Sequence, residues 1–529
     1  MILQVKKKFL LLFYISTWLV INLMTLITYP IMHSDEAWLA GLTQSMIDNG
    51  HWLITEPFFD LAPRAPHTLK LLFHLIQWPF IQLFGYDLFS VRLMSLVFGL
   101  LSLILLYMYL NQFDQNSDLA LMGVVILSLT SPFIYAAHFA RQESSLIFIL
   151  ILSLLLYNRK AKVSYKSTIV ISSLIGLAIS LHPNAFIIAV MIGSLYLEGW
   201  LVKDYSFKVI LSYITPMALF ALLNLIVTFT QTKNFLAKYW QYASTLSVGA
   251  SPASRFENFL NFYLKIYQRI TGTYYIANMK YLFILALIAL VFLGITYISR
   301  RKTGTFLGRF LIFDTKKTRP IRQCLLMAIG FNVALFIIGR YNPTSIVFLV
   351  VIILLFLLHT TQLFIPLSIQ RLLLIIFITI SSLSLYNDYK EGALHDYDHY
   401  HQFLASNIQP TDIVLANLSG GFTMDVNQFY DIRNLNYLED TSLEAYLLNN
   451  NINTIIYYEE YDYIHRNPEW QILYGDDAAY YDDLNQLIVN YGTLKSETIS
   501  PYYGNRIIRY MGDYPWSIKI YALDLRPSD

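Results

Sequence analysis

Long apolar runs broken by short polar segments are the feature that most limits what this chain can fold into. Of its 529 residues, 56% are apolar and 14% are charged, whereas water-soluble chains carry about a quarter charged residues. A helix of about 20 apolar residues is long enough to cross a bilayer. The pattern therefore predicts a polytopic α-helical membrane protein, and it argues against a soluble enzyme, a disordered chain or a fibrous protein.

The apolar runs predict about eleven transmembrane helices. They lie near residues 9–28, 89–110, 118–138, 144–158, 167–182, 184–200, 208–229, 280–299, 323–339, 345–359 and 372–387. No small-residue cleavage pattern follows the first run, so we expect an anchor and not a removed signal peptide. Lys and Arg clusters at residues 6–8, 159–166 and 300–322 fall on one side of these spans. Because such clusters mark the cytoplasmic side, we expect a cytoplasmic N-terminus and, after an odd number of spans, an external C-terminus.

Charge divides the chain into two predicted domains. Residues 1–387 carry a net charge of +16 and residues 388–529 a net charge of −14. The second part is long enough to form a small extracytoplasmic domain. Its pattern predicts an α/β fold with strands at Ile413–Leu418, Asn453–Tyr458 and Ile518–Leu525, and helices at Ser442–Leu448 and Asp482–Val489. The single cysteine, Cys324, excludes an intramolecular disulfide and a cysteine zinc site.

Two external segments stand out within the predicted membrane domain. Residues 29–88 separate the first two spans and carry an acidic motif, described below. Residues 230–279 contain five Lys or Arg residues and one acidic residue, Glu257. A basic external loop is tolerated if it is long, since long loops follow the charge rule weakly. It could instead attract an anionic ligand at the membrane surface.

Two adjacent carboxylates, Asp35 and Glu36, follow the first span within a few residues. The sequence predicts a short helix here, with Ser34 as its N-cap and Asn49-Gly50 at its end, too short and polar to cross the membrane. Acidic residues in a first helical turn favour the helix dipole, which is a purely structural explanation. Charge beside a bilayer is costly, however, which favours a functional role. Adjacent helical residues point about 100° apart, so one carboxylate would act as a base while the other orients it.

Several segments resemble the GT-C superfamily of membrane glycosyltransferases, in particular glycosyltransferase family 39. That family contains protein O-mannosyltransferases and lipid A aminoarabinose transferases. The resembling segments are Asp35-Glu36, Asn49-Gly50-His51-Trp52-Leu53, Leu83-Phe84-Gly85, Ser90-Val91-Arg92-Leu93-Met94-Ser95, Ala140-Arg141-Gln142-Glu143 and His182-Pro183-Asn184. The family's Lys-Pro-Pro element is absent from residues 63–70. The resemblance covers most of the predicted membrane domain and implies a GT-C fold with interfacial helices in the first external loop.

The resemblance implies an enzyme that moves a sugar from a polyprenyl phosphate to an acceptor hydroxyl on the extracytoplasmic side, with inversion. The hydroxyl needs a base, because it is a poor nucleophile at neutral pH. We expect Asp35 to be this base and Glu36 to position Asp35 or a nearby cation. Glu143 is expected to face the acceptor or sugar hydroxyls, or alternatively to pair with Arg141.

Cations must hold the donor phosphate and stabilise its charge. The candidates are Arg64, Lys70, Arg141 and Arg340. Each could instead be an ordinary cation at the end of a span. His67, His182 and Tyr341 are further candidates for the site, although a lone histidine in a turn is usually structural.

No cofactor is predicted, although Asp35, Glu36 and Glu143 could bind a divalent metal if they converged. The expected partners are a polyprenyl-phosphate sugar, membrane lipid and a protein, lipid or cell-wall glycan acceptor, and no nucleic acid. Three alternatives stay open. One is an oligosaccharide or polymer ligase that uses a lipid pyrophosphate, another is a transporter or flippase for lipid-linked sugars, and the third is a scaffold. Transporters usually show inverted repeats, which this sequence lacks. The expected location is the cell membrane, or the endoplasmic reticulum in a eukaryote.

Overall fold

The computed structural model contains two compact units, each built from separate parts of the sequence. The helical unit comprises Met1–Met24, Thr68–Phe73 and Ser95–Asn387, and the α/β unit comprises Thr25–His67, His74–Met94 and Asp388–Asp529. The structure describes residues 2–61, 64–66, 68–113, 118–159, 164–232, 234–237, 240, 251–266, 270–271, 274–275, 279–299, 318–339, 342–393, 397–467, 480–500 and 516–525.

Helices, most of them apolar, make up most of the chain before residue 394. In order they are α1 (Ile2–Met24), α2 (Ser34–Asn49), α3 (Leu71–Phe84), α4 (Leu88–Leu110), α5 (Leu119–Ser128), α6 (Ser131–His138), α7 (Glu143–Asn158), α8 (Tyr165–Ala178), α9 (Ala185–Leu201), α10 (Phe207–Gln231), α11 (Pro252–Ile266), α12 (Lys280–Ser299), α13 (Arg319–Ile338), α14 (Ile346–Phe364) and α15 (Leu367–Ala393). Within the described ranges, six helices are long and apolar enough to cross a membrane: α1, α4, α10, α13, α14 and α15. The bent pair α5–α6 would be a seventh.

The polytopic helical class predicted from the sequence is confirmed, and the chain is an integral membrane protein. Each of the eleven predicted spans coincides with a helix or with the bent pair. The predicted spans at 144–158, 167–182 and 184–200 form helices of 16, 14 and 17 residues. These helices are shorter than the roughly 20 residues that a perpendicular span needs.

A sharp break separates α5 from α6, whose axes differ by 67°. Pro132 lies in the first turn of α6, where proline is tolerated because that N–H has no intrahelical partner. The end of α5 is held by α1: Trp18 Nε1 donates to the Ser128 carbonyl at 3.1 Å, and the Tyr14 hydroxyl lies 2.6 Å from Ser128 Oγ. The Trp18 indole thus gives a backbone carbonyl at the break a partner that lipid could not supply.

The C-terminal part of the α/β unit contains a five-stranded mixed sheet. Two short strands, β1 (Ile270–Thr271) and β2 (Tyr274–Tyr275), precede it as a separate pair. The sheet has the order β4-β3-β5-β7-β6, with β3 (Val414–Ala416) parallel to its two neighbours and β7 antiparallel to its own. The other strands are β4 (Phe429–Asp431), β5 (Thr454–Tyr458), β6 (Gly492–Ile499) and β7 (Ser517–Leu523), and the helices are α16 (Tyr397–Asn407), α17 (Leu443–Asn449), α18 (Glu460–Arg466) and α19 (Tyr481–Tyr491).

The small C-terminal α/β fold is therefore as predicted, and the three predicted strands correspond to β3, β5 and β7. The sequence did not predict β4 or β6. Strand β4 has only three residues. In β6 most residues are polar, and its apolar residues Leu494 and Ile499 are exposed, so neither strand shows the apolar alternation that identifies a strand.

Helix α2 packs against C-terminal residues in the α/β unit. A 3₁₀ turn, Leu418–Thr423, lies on α2, and a Cβ atom at Gly421 would come 3.3 Å from the Ala37 Cβ. The turn begins at Asn417, which is buried and whose side-chain oxygen accepts a hydrogen bond from the Ser419 N–H at 2.9 Å. Next to α2, the Phe58 carbonyl accepts from the Asp431 N–H at 3.0 Å. The acidic motif and the C-terminal sheet thus belong to one packed body.

Candidate functional site

The first turn of α2 presents the acidic motif in a fixed conformation. The sequence predicted Ser34 as the N-cap, but in the structure the N-cap is His33. His33 Nδ1 accepts from the Asp35 N–H at 3.0 Å, and the Glu36 carboxylate accepts from the His33 N–H at 3.0 Å. This reciprocal pair is a capping box, with histidine in the place usually taken by serine or threonine. The helix ends at Asn49, as predicted, and Gly50 caps it in a left-handed conformation.

Glu36 is completely buried and held by a buried arginine at the start of α4. Arg92 Nε and Nη2 each donate to one Glu36 carboxylate oxygen at 2.8 Å. Arg92 Nη1 also donates to the carbonyls of Leu26 and Pro30, at 2.9 and 2.8 Å. A bidentate pair of this kind is strong and geometrically specific. It fixes the first turn of α2 to the chain that leaves α1.

Asp35 differs from Glu36 in its exposure. Its side chain is 23% exposed, and its Oδ1 lies 3.6 Å from His33 Nδ1. Because that nitrogen already accepts the Asp35 N–H, it carries no proton in this arrangement, and the contact is not an ion pair. Of the two adjacent carboxylates, Asp35 is therefore the one that a ligand can reach.

A second group in the α/β unit contains Arg64, one of the predicted phosphate ligands. Arg64 Nη2 and Nε donate to Glu56 at 2.5 and 3.2 Å, and Trp38 Nε1 of α2 donates to the same carboxylate at 2.5 Å. Burial alone would raise the pKa of Glu56, but the charge and hydrogen bonds of Arg64, with the bond from Trp38, lower the pKa to about 2. Glu56 is therefore a stable anion that holds α2 and Arg64 together.

A second arginine, Arg433 from the C-terminal part of the α/β unit, faces the rings of Trp38 and Phe59. Arg64 faces the same two rings. Arg433 lies 5.2 Å from the centre of the Trp38 ring and 4.7 Å from that of Phe59. Arg64 lies at 4.6 and 5.1 Å from the same two rings. All four distances are within the range of cation–π attraction. Arg433 is itself held by Asp431, with Nε 2.6 Å from Oδ1.

Glu143, in the helical unit, begins α7 and is 2% exposed. Its Oε1 accepts from Gln142 Nε2 at 2.9 Å and from the Thr344 hydroxyl at 2.7 Å, and Arg141 Nη2 lies 3.8 Å away. Its Oε2 is buried and has no hydrogen-bond donor among the residues that the structure describes. Buried carboxylate oxygens are normally satisfied, so this one calls for an explanation.

The segment before α14 connects Glu143 to a third sequence motif. Asn342 Oδ1 accepts from the Thr344 N–H at 3.0 Å and lies 2.9 Å from its hydroxyl. The next residue, Ser345, accepts from Asn184 Nδ2 at 3.2 Å. The Asn184 N–H donates to Nδ1 of the buried His182 at 3.0 Å, which closes the His182-Pro183-Asn184 turn. The structure thus joins the Arg141–Glu143 motif and this turn through residues 342–345.

The remaining predicted site residues are distributed as follows. Lys70 lies in the turn before α3, with a partly exposed side chain, and belongs to the helical unit. His67, Arg340 and Tyr341 lie outside the described residues. Within the described ranges, no three His, Cys, Asp or Glu side chains form a group that could hold a metal ion.

Sequence reasoning did not assign roles to Arg92, Glu56, Arg433 or Thr344. One signal for Arg92 was available, since an arginine at the start of an apolar span needs a partner and a carboxylate pair lies nearby in the sequence. For Thr344 there was no such signal, because threonine is common in membrane helices and its acceptor is 201 residues away.

Comparison with solved structures shows a similarity that covers nearly the whole chain. The chain matches the crystal structure of ArnT from Cupriavidus metallidurans bound to undecaprenyl phosphate, with a TM-score of 0.55 and 12% sequence identity over 98% of both chains. The two proteins therefore share their fold from end to end, and the GT-C fold implied by the sequence is confirmed. No family model matches the chain, and none of the curated protein sequences matches it.

Proposed function

We propose that this integral membrane protein is a glycosyltransferase that moves a sugar from a polyprenyl-phosphate donor to an acceptor hydroxyl on the extracytoplasmic side. The observation that carries the proposal is the fold shared with ArnT over 98% of both chains, in a crystal structure that contains undecaprenyl phosphate. The acidic motif that follows the first span supplies the residues for the chemistry.

Asp35 is proposed as the general base. The acceptor oxygen attacks the anomeric carbon of the sugar, the bond from that carbon to the phosphate oxygen breaks, and the electron pair leaves with the polyprenyl phosphate. Asp35 takes the proton of the acceptor hydroxyl. Its partial exposure in a fixed helical turn supports this role. A single displacement inverts the configuration of the sugar.

Glu36 is proposed as a positioning residue. Its two oxygens already receive three donors, from Arg92 and the His33 N–H. A carboxylate so occupied is a poor base, but it holds the turn that carries Asp35. The buried ion pair costs desolvation, which favours a role in fixing geometry over one in stability alone.

The leaving polyprenyl phosphate is already a stable anion and needs no strong general acid to protonate it. We therefore propose only cationic residues to bind it. The proposed cations are Arg64, Lys70, Arg141 and Arg340. Arg64 has five N–H donors, of which its pair with Glu56 uses two. Glu143 is proposed to face a hydroxyl of the sugar or the acceptor.

An ion-paired group supports the proposed orientation. Asp118, before α5, lies 3.1 Å from Lys7 of α1 and 2.7 Å from Arg371 of α15. These contacts bring the starts of three helices to one end of the helical unit. Since Lys7 belongs to the N-terminal basic cluster, this end is proposed to be cytoplasmic. Helix α15 then leads outward, and residues from Asp388 onward are proposed to be extracytoplasmic.

The test is to offer purified protein a panel of radiolabelled polyprenyl-phosphate sugars, with and without membrane extract as acceptor. We expect wild type to release the lipid phosphate and Asp35→Asn to release none. Asp48→Asn is the matched control, since Asp48 is exposed at the other end of α2, where its Oδ1 accepts a hydrogen bond from Gln44 Nε2 at 2.7 Å.

Each other result has a distinct meaning. Normal release by Asp35→Asn would remove Asp35 as the base. Release from lipid-pyrophosphate donors alone would favour a ligase. No release with any donor, together with movement of lipid-linked sugar across liposomes, would replace the proposal with a transporter.

A further inference from the structure

The strongest feature that the proposed function does not yet use is the asymmetric environment of the Glu143 carboxylate. Its Oε1 receives donors from Gln142 and Thr344. Its Oε2 is buried but has no donor among the described residues. A carboxylate can accept about four hydrogen bonds, two on each oxygen. The two donors of Glu143 therefore occupy Oε1, and both unused acceptor positions lie on Oε2. An unsatisfied buried oxygen is costly unless a ligand completes it.

We infer that Thr344 is a positioning residue, which holds Glu143 by Oε1 so that Oε2 stays directed at a hydroxyl of the substrate. This inference rests on the proposed function. The Thr344 hydroxyl donates to Oε1 at 2.7 Å, and Thr344 is buried. Without this bond, the carboxylate could rotate about its terminal torsion, which has a broad energy profile. Thr344 then acts through Glu143 and does not touch the substrate.

Neighbouring residues hold Thr344 in place. Asn342 Oδ1 accepts from its N–H, and Ser345 is tied to the 182–184 turn through Asn184. The hydroxyl of Thr344 has one proton and two acceptors within reach, Glu143 at 2.7 Å and Asn342 at 2.9 Å. It can therefore remain hydrogen-bonded when the charge on Glu143 is shared with a bound hydroxyl. Serine would keep this ability, and valine would not.

The experiment compares turnover of the active donor by wild type, Thr344→Val and Thr344→Ser. Thr344→Val removes the hydroxyl at nearly constant volume, and we expect kcat to fall roughly 10- to 100-fold, the range for a hydrogen bond to a charged group. Donor binding, measured separately, should change less than about twofold, since Thr344 does not contact the phosphate in this proposal. Thr344→Ser should keep most of the wild-type kcat.

The matched control is Thr360→Val, which makes the same chemical change in α14. The Thr360 hydroxyl is buried and has no hydrogen-bond partner among the described residues, so its loss should leave kcat unchanged. A second test adds Thr344→Val to Glu143→Gln, with radiolabelled donor so that slow turnover is measurable. If Thr344 acts only through Glu143, the second substitution should lower kcat further by less than about twofold.

The outcomes separate the two proposals. Wild-type turnover together with a normal kcat for Thr344→Val would overturn the role of Thr344 and leave the proposed function intact. The role of Thr344 would also be overturned if Thr344→Val and Thr360→Val lowered kcat equally. It would be overturned as well if Thr344→Val lowered kcat in the Glu143→Gln background as much as it does in wild type. Absence of turnover by wild type with every donor would overturn the proposed function and this inference with it.

Discussion

The Glu56 carboxylate offers a quantitative test of how the α/β unit holds its acidic helix. Glu56 is 6% exposed and receives Trp38 Nε1 and two donors of Arg64. Replacing it with Gln keeps the shape and an acceptor for Trp38 but removes the charge. Arg64 then loses its partner while it remains stacked on the Trp38 ring.

The pKa of Glu56 gives the size of the effect. Its ordinary pKa is 4.5, and its pKa in the folded protein is about 2. That difference corresponds to about 3 kcal/mol at about 1.36 kcal/mol per pH unit. Gln retains one hydrogen bond and Arg64 recovers some hydration, so we expect Glu56→Gln to lose about 1–3 kcal/mol of stability at pH 7. Because the folded pKa is lowered, this contribution is present above about pH 4.5 and is lost as the pH falls through about 2.

Denaturant unfolding in detergent, followed by tryptophan fluorescence, measures this loss. The control is Glu497→Gln, because Glu497 is an exposed residue 3.7 Å from Lys519, where a surface pair contributes about 0–1 kcal/mol. Between pH 4.5 and pH 2, wild type should lose more stability than Glu56→Gln. The reasoning is refuted if Glu56→Gln is as stable as Glu497→Gln at pH 7. It is also refuted if wild type and Glu56→Gln lose the same stability between pH 4.5 and pH 2.

Two further substitutions test the packing. Arg92→Lys should destabilise the protein by about 3–5 kcal/mol in the same assay, because a single ammonium cannot replace the fork that joins Glu36 to two carbonyls; stability close to that of wild type would show that the pair is dispensable. Gly330→Ala should lower stability by about 1–3 kcal/mol, since its Cβ would lie 2.9 Å from the Met191 Cα of α9. Gly294→Ala has open space and serves as its control, and equal effects of the two would contradict the close helix contact.

The membrane helices could be predicted from the sequence because lipid imposes a simple rule. Every backbone N–H and C=O group must be hydrogen-bonded within the segment, so an apolar run of sufficient length forms an α-helix. The break between α5 and α6 was not predicted. It depends on Trp18 and Tyr14 reaching Ser128, more than 100 residues away, and no local pattern encodes such a contact.

The candidate site was predictable only where chemistry is local. Asp35 and Glu36 stand out because two charges follow a span directly, but their different exposure depends on Arg92, 56 residues beyond Glu36. The N-cap was wrongly assigned to Ser34, because histidine is not among the residues that usually occupy this position. Asp431 and Arg433 reach the segment between α1 and α4 only through tertiary packing of the C-terminal sheet.

The buried turn at Asn417 has a consequence for producing this protein. Asn417-Leu418-Ser419 is an acceptor sequence for N-linked glycans, which require an accessible asparagine amide. In the folded chain the Asn417 side chain is 2% exposed and already hydrogen-bonded to Ser419. A glycan could be attached only before this turn packs on α2, and it would then keep the turn from packing. With the α/β unit on the extracytoplasmic side, as proposed above, expression in a secretory pathway that glycosylates risks a misassembled α/β unit. Asn417→Gln would not preserve the turn, because its longer side chain moves the accepting oxygen.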